Sequence, residues 1–343
     1  MKPSRIRDLV GLAMVVATTV AACGSSSGPS PTPTAPSAPI KLTVGLGYIP
    51  NVQFAQFYLA DQAGYYRDAG LDVTFQNGSD ADLIPLTALG KVDVAIADGT
   101  SLIPAVSQGI PVRYLATIYA RFPNVVFAKA STGITSAADL RGRKIGTPGK
   151  YGSGWIMLQG LLQSAGLNAD QVQVQLYPDY GQLTGVEQGQ VDAATGFANN
   201  EPIQLGRTGV TPVVLPIDGI VPLPGNGLIA GTKTLATKHD AIARFISATL
   251  RAMQEISTDP QIGLDAAIKA VPEIATDKEG QRAVLRATID MWHDALTDAH
   301  GLGAIDTDGW TRSIAFLASL PGGLVPNPVT VDGIIDSSLL PVP

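Results

Sequence analysis

At 343 residues, with 45% hydrophobic and 15% charged side chains, the chain can bury a large core and is long enough for two domains of roughly 100 to 200 residues each. Its formal net charge is -6, and -8 once a leader carrying Lys2, Arg5, Arg7 and Asp8 is removed. An acidic surface of this kind argues against nucleic acid as a partner.

The first 22 residues combine a basic start with an apolar run from Leu9 to Val20, too short to remain as a membrane-spanning helix, so they read as an export signal. The segment ends in Val20-Ala21-Ala22-Cys23, which resembles the bacterial lipobox, where cleavage precedes the cysteine and the thiol takes a diacylglycerol. Cys23 is the only cysteine, so no intrachain disulfide can form. Two acyl tails give stable anchoring where one does not. Residues 23–39 are Gly/Ser-rich and then Pro/Thr/Ser-rich, the composition of a disordered tether, and the folded unit begins near Ile40.

From Lys41 to Leu46 an apolar strand enters Gly47-Tyr48-Ile49-Pro50-Asn51, and Phe54, Phe57, Tyr58 and Tyr65 follow at helical spacing. Leu71 to Phe75 and Val92 to Ile96 are further strands, the second ending at Asp98-Gly99-Thr100-Ser101. Val112 to Tyr119 and Val125 to Ala128 continue an alternation of strands and helices that marks a mostly parallel sheet. The same grammar then repeats. Lys144-Ile145-Gly146 breaks at Thr147 to Gly154, an apolar helical stripe runs from Met157 to Ala165, and Val172 to Leu176 is a strand. Gly189-Gln190-Val191-Asp192 mirrors Gly90-Lys91-Val92-Asp93, so the halves are expected to be alike, with like loops facing one another. Beyond Lys238 the pattern is helical, and this tail is expected to return over the first half. The resulting division is lobe 1 at 40–126 plus 227–343 and lobe 2 at 127–226, with hinge strands near Val125 to Ala130 and Gly227 to Thr232.

Loops at strand ends, Gly47 to Asn51, Asp98 to Ser101, Thr147 to Gly154 and Thr195 to Pro202, would share a cleft if both sheets turn their carboxyl edges inward. Tyr48, Phe54, Tyr119, Tyr151, Trp155 and Phe197 lie in or beside them, a concentration that favours a flat ligand in a chain only 6% aromatic. Asp98, Asn199 and Glu201 offer acceptors, and Asn51, Asn199, Ser101 and Ser153 can also donate, which suits the edge of a heterocycle. The glycine-rich loop lacks the ending of a P-loop. Arg121 and Lys150 are the only basic groups near these loops, so a strongly anionic ligand ranks second. His239, His293 and His300 fall in the helical tail, and no metal spacing or nucleophile elbow is present; catalysis, metal and cofactor are not expected.

Gly47 to Asn51, Tyr58-Leu59-Ala60 with Gly64-Tyr65-Tyr66, Gly70-Leu71-Asp72-Val73 and Ser136 to Gly146 make the chain similar, over about Lys41 to Thr232, to the solute-binding proteins of bacterial ABC importers, in the group for thiamine pyrimidine precursors and riboflavin. The resemblance implies an α/β, two-lobed periplasmic binding protein type II fold that closes on its ligand by a hinge. It also implies permease and ATPase partners, and a monomer tethered by Cys23 at the extracytoplasmic face of the cell membrane. Riboflavin is the favoured ligand, with a thiamine pyrimidine precursor beside it and an aliphatic sulfonate as the alternative. A related fungal branch makes the pyrimidine enzymatically with a histidine and a cysteine-rich motif. This chain has no such motif, which leaves a periplasmic enzyme as the remote alternative.

Overall fold

The computed structural model describes residues 38–341 other than 219, 221, 222 and 321. The leader, Cys23 and the tether up to residue 37 therefore lie outside the described residues. The apolar runs of the sequence form two five-stranded sheets. The first contains β1 (Ile40–Gly47), β2 (Leu71–Gly78), β3 (Val94–Ala97), β4 (Val112–Thr117) and, much later in the chain, β10 (Gly227–Gly231), in the order β2-β1-β3-β10-β4. The second contains β5 (Asn124–Lys129), β6 (Lys144–Thr147), β7 (Gln173–Leu176), β8 (Ala193–Phe197) and β9 (Pro212–Pro216), in the order β7-β6-β8-β5-β9. Both orders follow one plan.

In each sheet a single strand runs against the rest: β10 is antiparallel to β3 and β4, and β5 is antiparallel to β8 and β9. Topology supplies the reason. These are the strands on which the chain arrives from the other sheet, so they start at the edge where their neighbours end. The two crossing segments are tied together where they pass, because the N–H groups of Ile118 and Tyr119 both donate to the carbonyl of Asn226, at 2.9 and 2.8 Å.

The Val-Asp repeat has a structural basis. Asp93 N–H donates to the carbonyl of Thr43 at 2.8 Å, and its Oδ2 accepts from Thr43 N–H at 2.9 Å. Asp192 does the same to Lys144, at 2.9 and 2.8 Å. Each carboxylate extends a parallel ladder by one bond where the strand begins, and a cation approaches the spare oxygen: Lys238 Nζ at 2.8 Å on Asp93 and Arg143 at 3.9 Å on Asp192.

Apolar layers cover both faces of each sheet. The helix Thr232–Thr258 lays Ile242, Phe245, Ile246 and Met253 against one face of the first sheet, and the helix Thr307–Ser319 lays Trp310 and Leu317 against the other. The latter helix also reaches the second sheet's layer through Phe316. Among the described residues no helix is long and apolar enough to cross a membrane.

Replacing Asp93 by Ala should lower stability by about 1–3 kcal/mol, since it leaves the Thr43 N–H without its acceptor and Lys238 without its ion-pair partner. Asp192→Ala should cost less, because its side chain is 37% exposed against 12% for Asp93. Urea unfolding of the two variants measures the difference, and equal losses would contradict the burial argument.

Candidate functional site

The strand-end loops of both sheets, with the two crossing segments, surround a cavity that is partly open to solvent. From the first sheet come Gly47 and Tyr48 after β1, and Gln53, Phe54 and Gln56 on the helical turns that follow. The second sheet contributes residues from Thr147, at the end of β6, to Gly154, then Tyr180 and Gln182 after β7, Thr195 to Phe197 at the end of β8, and Asn200 and Glu201 after it. Ile118, Tyr119, Asn124 and Asn226 come from the crossings.

The local chain explains several of these placements. Helix Glu201–Arg207 starts with Glu201 and Pro202, and the Glu201 carboxylate turns back to accept the Phe197 N–H at 2.8 Å. Only glycine at 196 permits this approach, because a Cβ there would sit 2.9 Å from both Glu201 Oε2 and the Phe127 ring. Tyr48 and Tyr180 adopt left-handed backbone conformations, with φ of 67° and 61°. Such conformations are costly for a bulky residue. Their rings nevertheless meet edge to face across the cleft, with centroids 4.8 Å apart and planes at 81°.

The wall is rich in side-chain amides. Gln53, Gln56, Asn124, Gln182, Asn200 and Asn226 all line it and all are buried. Gln56 Oε1, Asn124 Nδ2, Gln182 Oε1 and Asn226 Oδ1 have no hydrogen-bond partner among the described residues. Among the described lining residues there is no Lys, Arg or His, and Glu201 is the one carboxylate. Burial pushes the Glu201 carboxyl above its ordinary value of 4.5, against the opposing hydrogen bond from Phe197. Burial likewise pushes the Tyr119 hydroxyl up to about 12, opposed first by its hydrogen bond with Asn199.

Of the residues singled out from the sequence, Tyr48, Phe54, Tyr119, Tyr151, Ser153, Phe197 and Glu201 line the cavity. Asn51, Asp98, Ser101, Trp155 and Asn199 are not among its lining residues. Asn51 caps the turn Val52–Phe54, accepting from Gln53 N–H at 3.1 Å. Asp98 caps the helix Gly99–Ser107, its Oδ1 accepting from Ser101 N–H at 3.0 Å and from the Thr100 hydroxyl at 2.5 Å. Ser101 is thereby the residue being capped. Trp155 packs against the second sheet's apolar layer beneath Lys150, whose Nζ lies 5.8 Å from its ring centre. Asn199 is fully buried and donates to Thr288 Oγ1 at 2.8 Å and to Tyr119 Oη at 3.4 Å, joining the second sheet's loop to the helix Lys278–Trp292. Its neighbour Asn200 takes the place at the cavity wall.

The amides missed from sequence did leave a signal. Gln53 and Gln56 stand three apart in an otherwise apolar run, Val52 to Tyr58, and Asn124 and Asn226 each open an apolar crossing strand. Tyr180 left none, since its place depends on a backbone angle. Among the described residues no group of three or more His, Cys, Asp or Glu is arranged to hold a metal.

The Glu201 carboxyl binds its proton more tightly in the folded than in the unfolded chain. Its contribution to stability is therefore complete below about pH 4.5 and is lost as the pH rises through its folded value. Glu201→Gln does not titrate, so its urea midpoint should gain on that of the parent as the pH rises from 4.5 toward 8. A difference that stays constant with pH would contradict the assignment.

Three comparisons bear on this site. The chain is 32% identical to riboflavin-binding protein RibY of Chloroflexus aurantiacus, over 97% of each chain. It is 23% identical to the 4-amino-5-hydroxymethyl-2-methylpyrimidine phosphate synthase THI13 of Saccharomyces cerevisiae, over 69% of this chain and 73% of that protein. Its fold is that of periplasmic binding proteins, as in the aliphatic sulphonate binding protein SsuA of Escherichia coli, at a TM-score of 0.64 and 16% identity over 87% of this chain and 97% of that one. The model of the family described as NMT1/THI5 like matches residues 51–262, and with the RibY similarity this shows that the chain belongs to that family.

Proposed function

We propose that the chain is the solute-binding component of an ABC importer, held at the extracytoplasmic membrane face through Cys23, and that it captures riboflavin without transforming it. The cavity wall carries this reading. It sets buried amides among tyrosines with no cation among its described residues, which suits a neutral planar ring system with hydrogen-bonding edges. The similarity to a riboflavin-binding protein along nearly the whole chain supports the same ligand. A sulfonate fits poorly, for it would find amides and the Glu201 carboxyl but no guanidinium or ammonium group in the described wall. The strand-end loops of the two sheets would close on the flavin from opposite sides, and the permease would read the closed form.

A second reading, an aminopyrimidine of the thiamine series, is favoured by the similarity to the pyrimidine phosphate synthase. For an enzyme, the described wall offers one carboxylate and no histidine or cysteine.

Titration of purified protein with riboflavin should quench flavin fluorescence saturably, and protein prepared with the vitamin present should be yellow and release intact flavin on denaturation. Unquenched flavin, with a melting temperature raised only by an aminopyrimidine, would replace the first reading by the second. A flavin recovered chemically altered would replace binding by catalysis.

A further inference from the structure

We infer that Arg207 is a positioning residue for the ligand: paired with Asp277, it clasps the helix Glu201–Arg207 onto the helix Lys278–Trp292 and thereby fixes Asn200 and Glu201 at the cavity wall. The inference rests on the reading of the cavity as the binding site and adds a residue that acts on it from outside.

The two helices belong to different halves of the molecule. Glu201–Arg207 lies between β8 and β9 of the second sheet, whereas Lys278–Trp292 lays Val284, Leu285, Ile289 and Trp292 into an apolar layer of the first. They meet at three successive points. Asn199, just before the short helix, donates to Thr288 Oγ1 at 2.8 Å, and Ile203 packs against the first sheet's layer. Arg207 then reaches Asp277, the residue that caps the amino end of the longer helix. Helical residues four apart share a face, so Ile203 and Arg207 lie on the same side of the short helix.

The seat for the guanidinium is built. Arg207 Nη2 donates to Asp277 Oδ1 at 2.6 Å and Nε to Oδ2 at 3.0 Å, a forked pair. Asp277 Oδ1 also accepts the Gly280 N–H at 3.1 Å, which anchors the carboxylate to its own helix. Glycine at 280 leaves room for this, because a Cβ there would run into Asp277 Oδ2 and lie 2.7 Å from Arg207 Nε. The two side chains are 37% and 49% exposed, so the pair draws on its fork rather than on burial, and its worth is modest.

Its leverage comes from the length of the helix it holds. Seven residues are too few for a helix to be stable by itself, so this one takes its place from what it packs against. On the same two turns Gln204 Nε2 donates to Asn200 Oδ1 at 2.6 Å, and Glu201 Oε2 accepts the Phe197 N–H at 2.8 Å. Both wall residues are thus carried on a short rod whose far end is Arg207.

Arg207→Gln and Asp277→Asn each break the fork, and Gly280→Ala keeps both charges but fills their meeting place. Each should weaken riboflavin by about fivefold, mainly through faster dissociation, although none of the three is among the described lining residues. Arg207→Lys, which keeps the charge and loses the fork, should fall between these variants and the parent. A neutral ligand brings no charge to be screened, so the parent's affinity should fall as NaCl rises from about 0.05 to 0.5 M while that of Arg207→Gln should not. Variants that stay folded by circular dichroism, bind within about 1.5-fold of the parent and keep its response to salt would overturn the clasp. If the parent binds an aminopyrimidine instead of riboflavin, the proposed ligand fails and the same comparison is made with the aminopyrimidine. If it binds neither, the clasp is read without ligand, from hydrogen exchange of the Phe197 N–H that Glu201 holds. Faster exchange there in Arg207→Gln, with the amides of β5 unchanged, supports the clasp. Exchange equal to the parent's, or quickened alike across the sheet, overturns it.

Discussion

Gln56, Asn124, Gln182 and Asn226 each hold a side-chain oxygen or nitrogen away from water with no partner among the described residues. A buried polar group without a partner costs on the order of 1–3 kcal/mol, so these positions are maintained against folding stability. That constraint organises the rest of the molecule. The amides stay in place because rigid strands and helix starts carry them, and each lies at a strand end, a helix start or a crossing rather than in a free loop. A ligand edge that supplies the missing donors and acceptors relieves the cost, whereas an apolar ligand of equal area does not.

The duplicated plan explains how one chain brings such groups to both sides of a cleft. Asp93 and Asp192 pin equivalent strands in equivalent ways, and β3 and β8 deliver the following turns to equivalent places. The turns then diverge. After β3, Asp98 is consumed as a helix cap, while after β8 the first helical residue, Glu201, reaches back to Phe197 and leaves Asn200 at the wall. One half of the plan has become scaffold where the other half lines the cavity.

Much of this was legible in the sequence. Glycine-punctuated alternation of strands and helices and the repeated Val-Asp marked two like halves, and the strand-end loops were found by where apolar runs stop. The residues that lie away from the cavity wall share a physical origin. Asn, Asp and Ser are the residues that cap helices and turns as well as those that read ligands, so residue type alone does not tell that Asn51 and Asp98 cap local backbone and that Ser101 donates the capped N–H. Between Asn199 and Asn200 the choice depended on which way a turn residue points, and residue type cannot decide that. Trp155 was read as a wall, but its ring belongs to the apolar layer under its own helix. The glutamines were overlooked because helical periodicity marks the apolar face and is silent about a polar side chain sharing it.

The pairing of the crossing strands carries one more consequence. Val125, at the entry to the second sheet, lies directly opposite Pro216, at its exit, and in the first sheet Thr117 lies opposite Gly227. Strand partners sit about 5 Å apart, so both cuts that would free the second sheet leave chain ends close enough for a short turn to join. The whole segment from residue 124 to 216 is in this sense a cassette set into a continuous host. Its face of the cleft could be exchanged with that of a relative while the host's register is preserved. New ligand preferences can then arise by grafting a recognition half, without redesigning the fold that carries it.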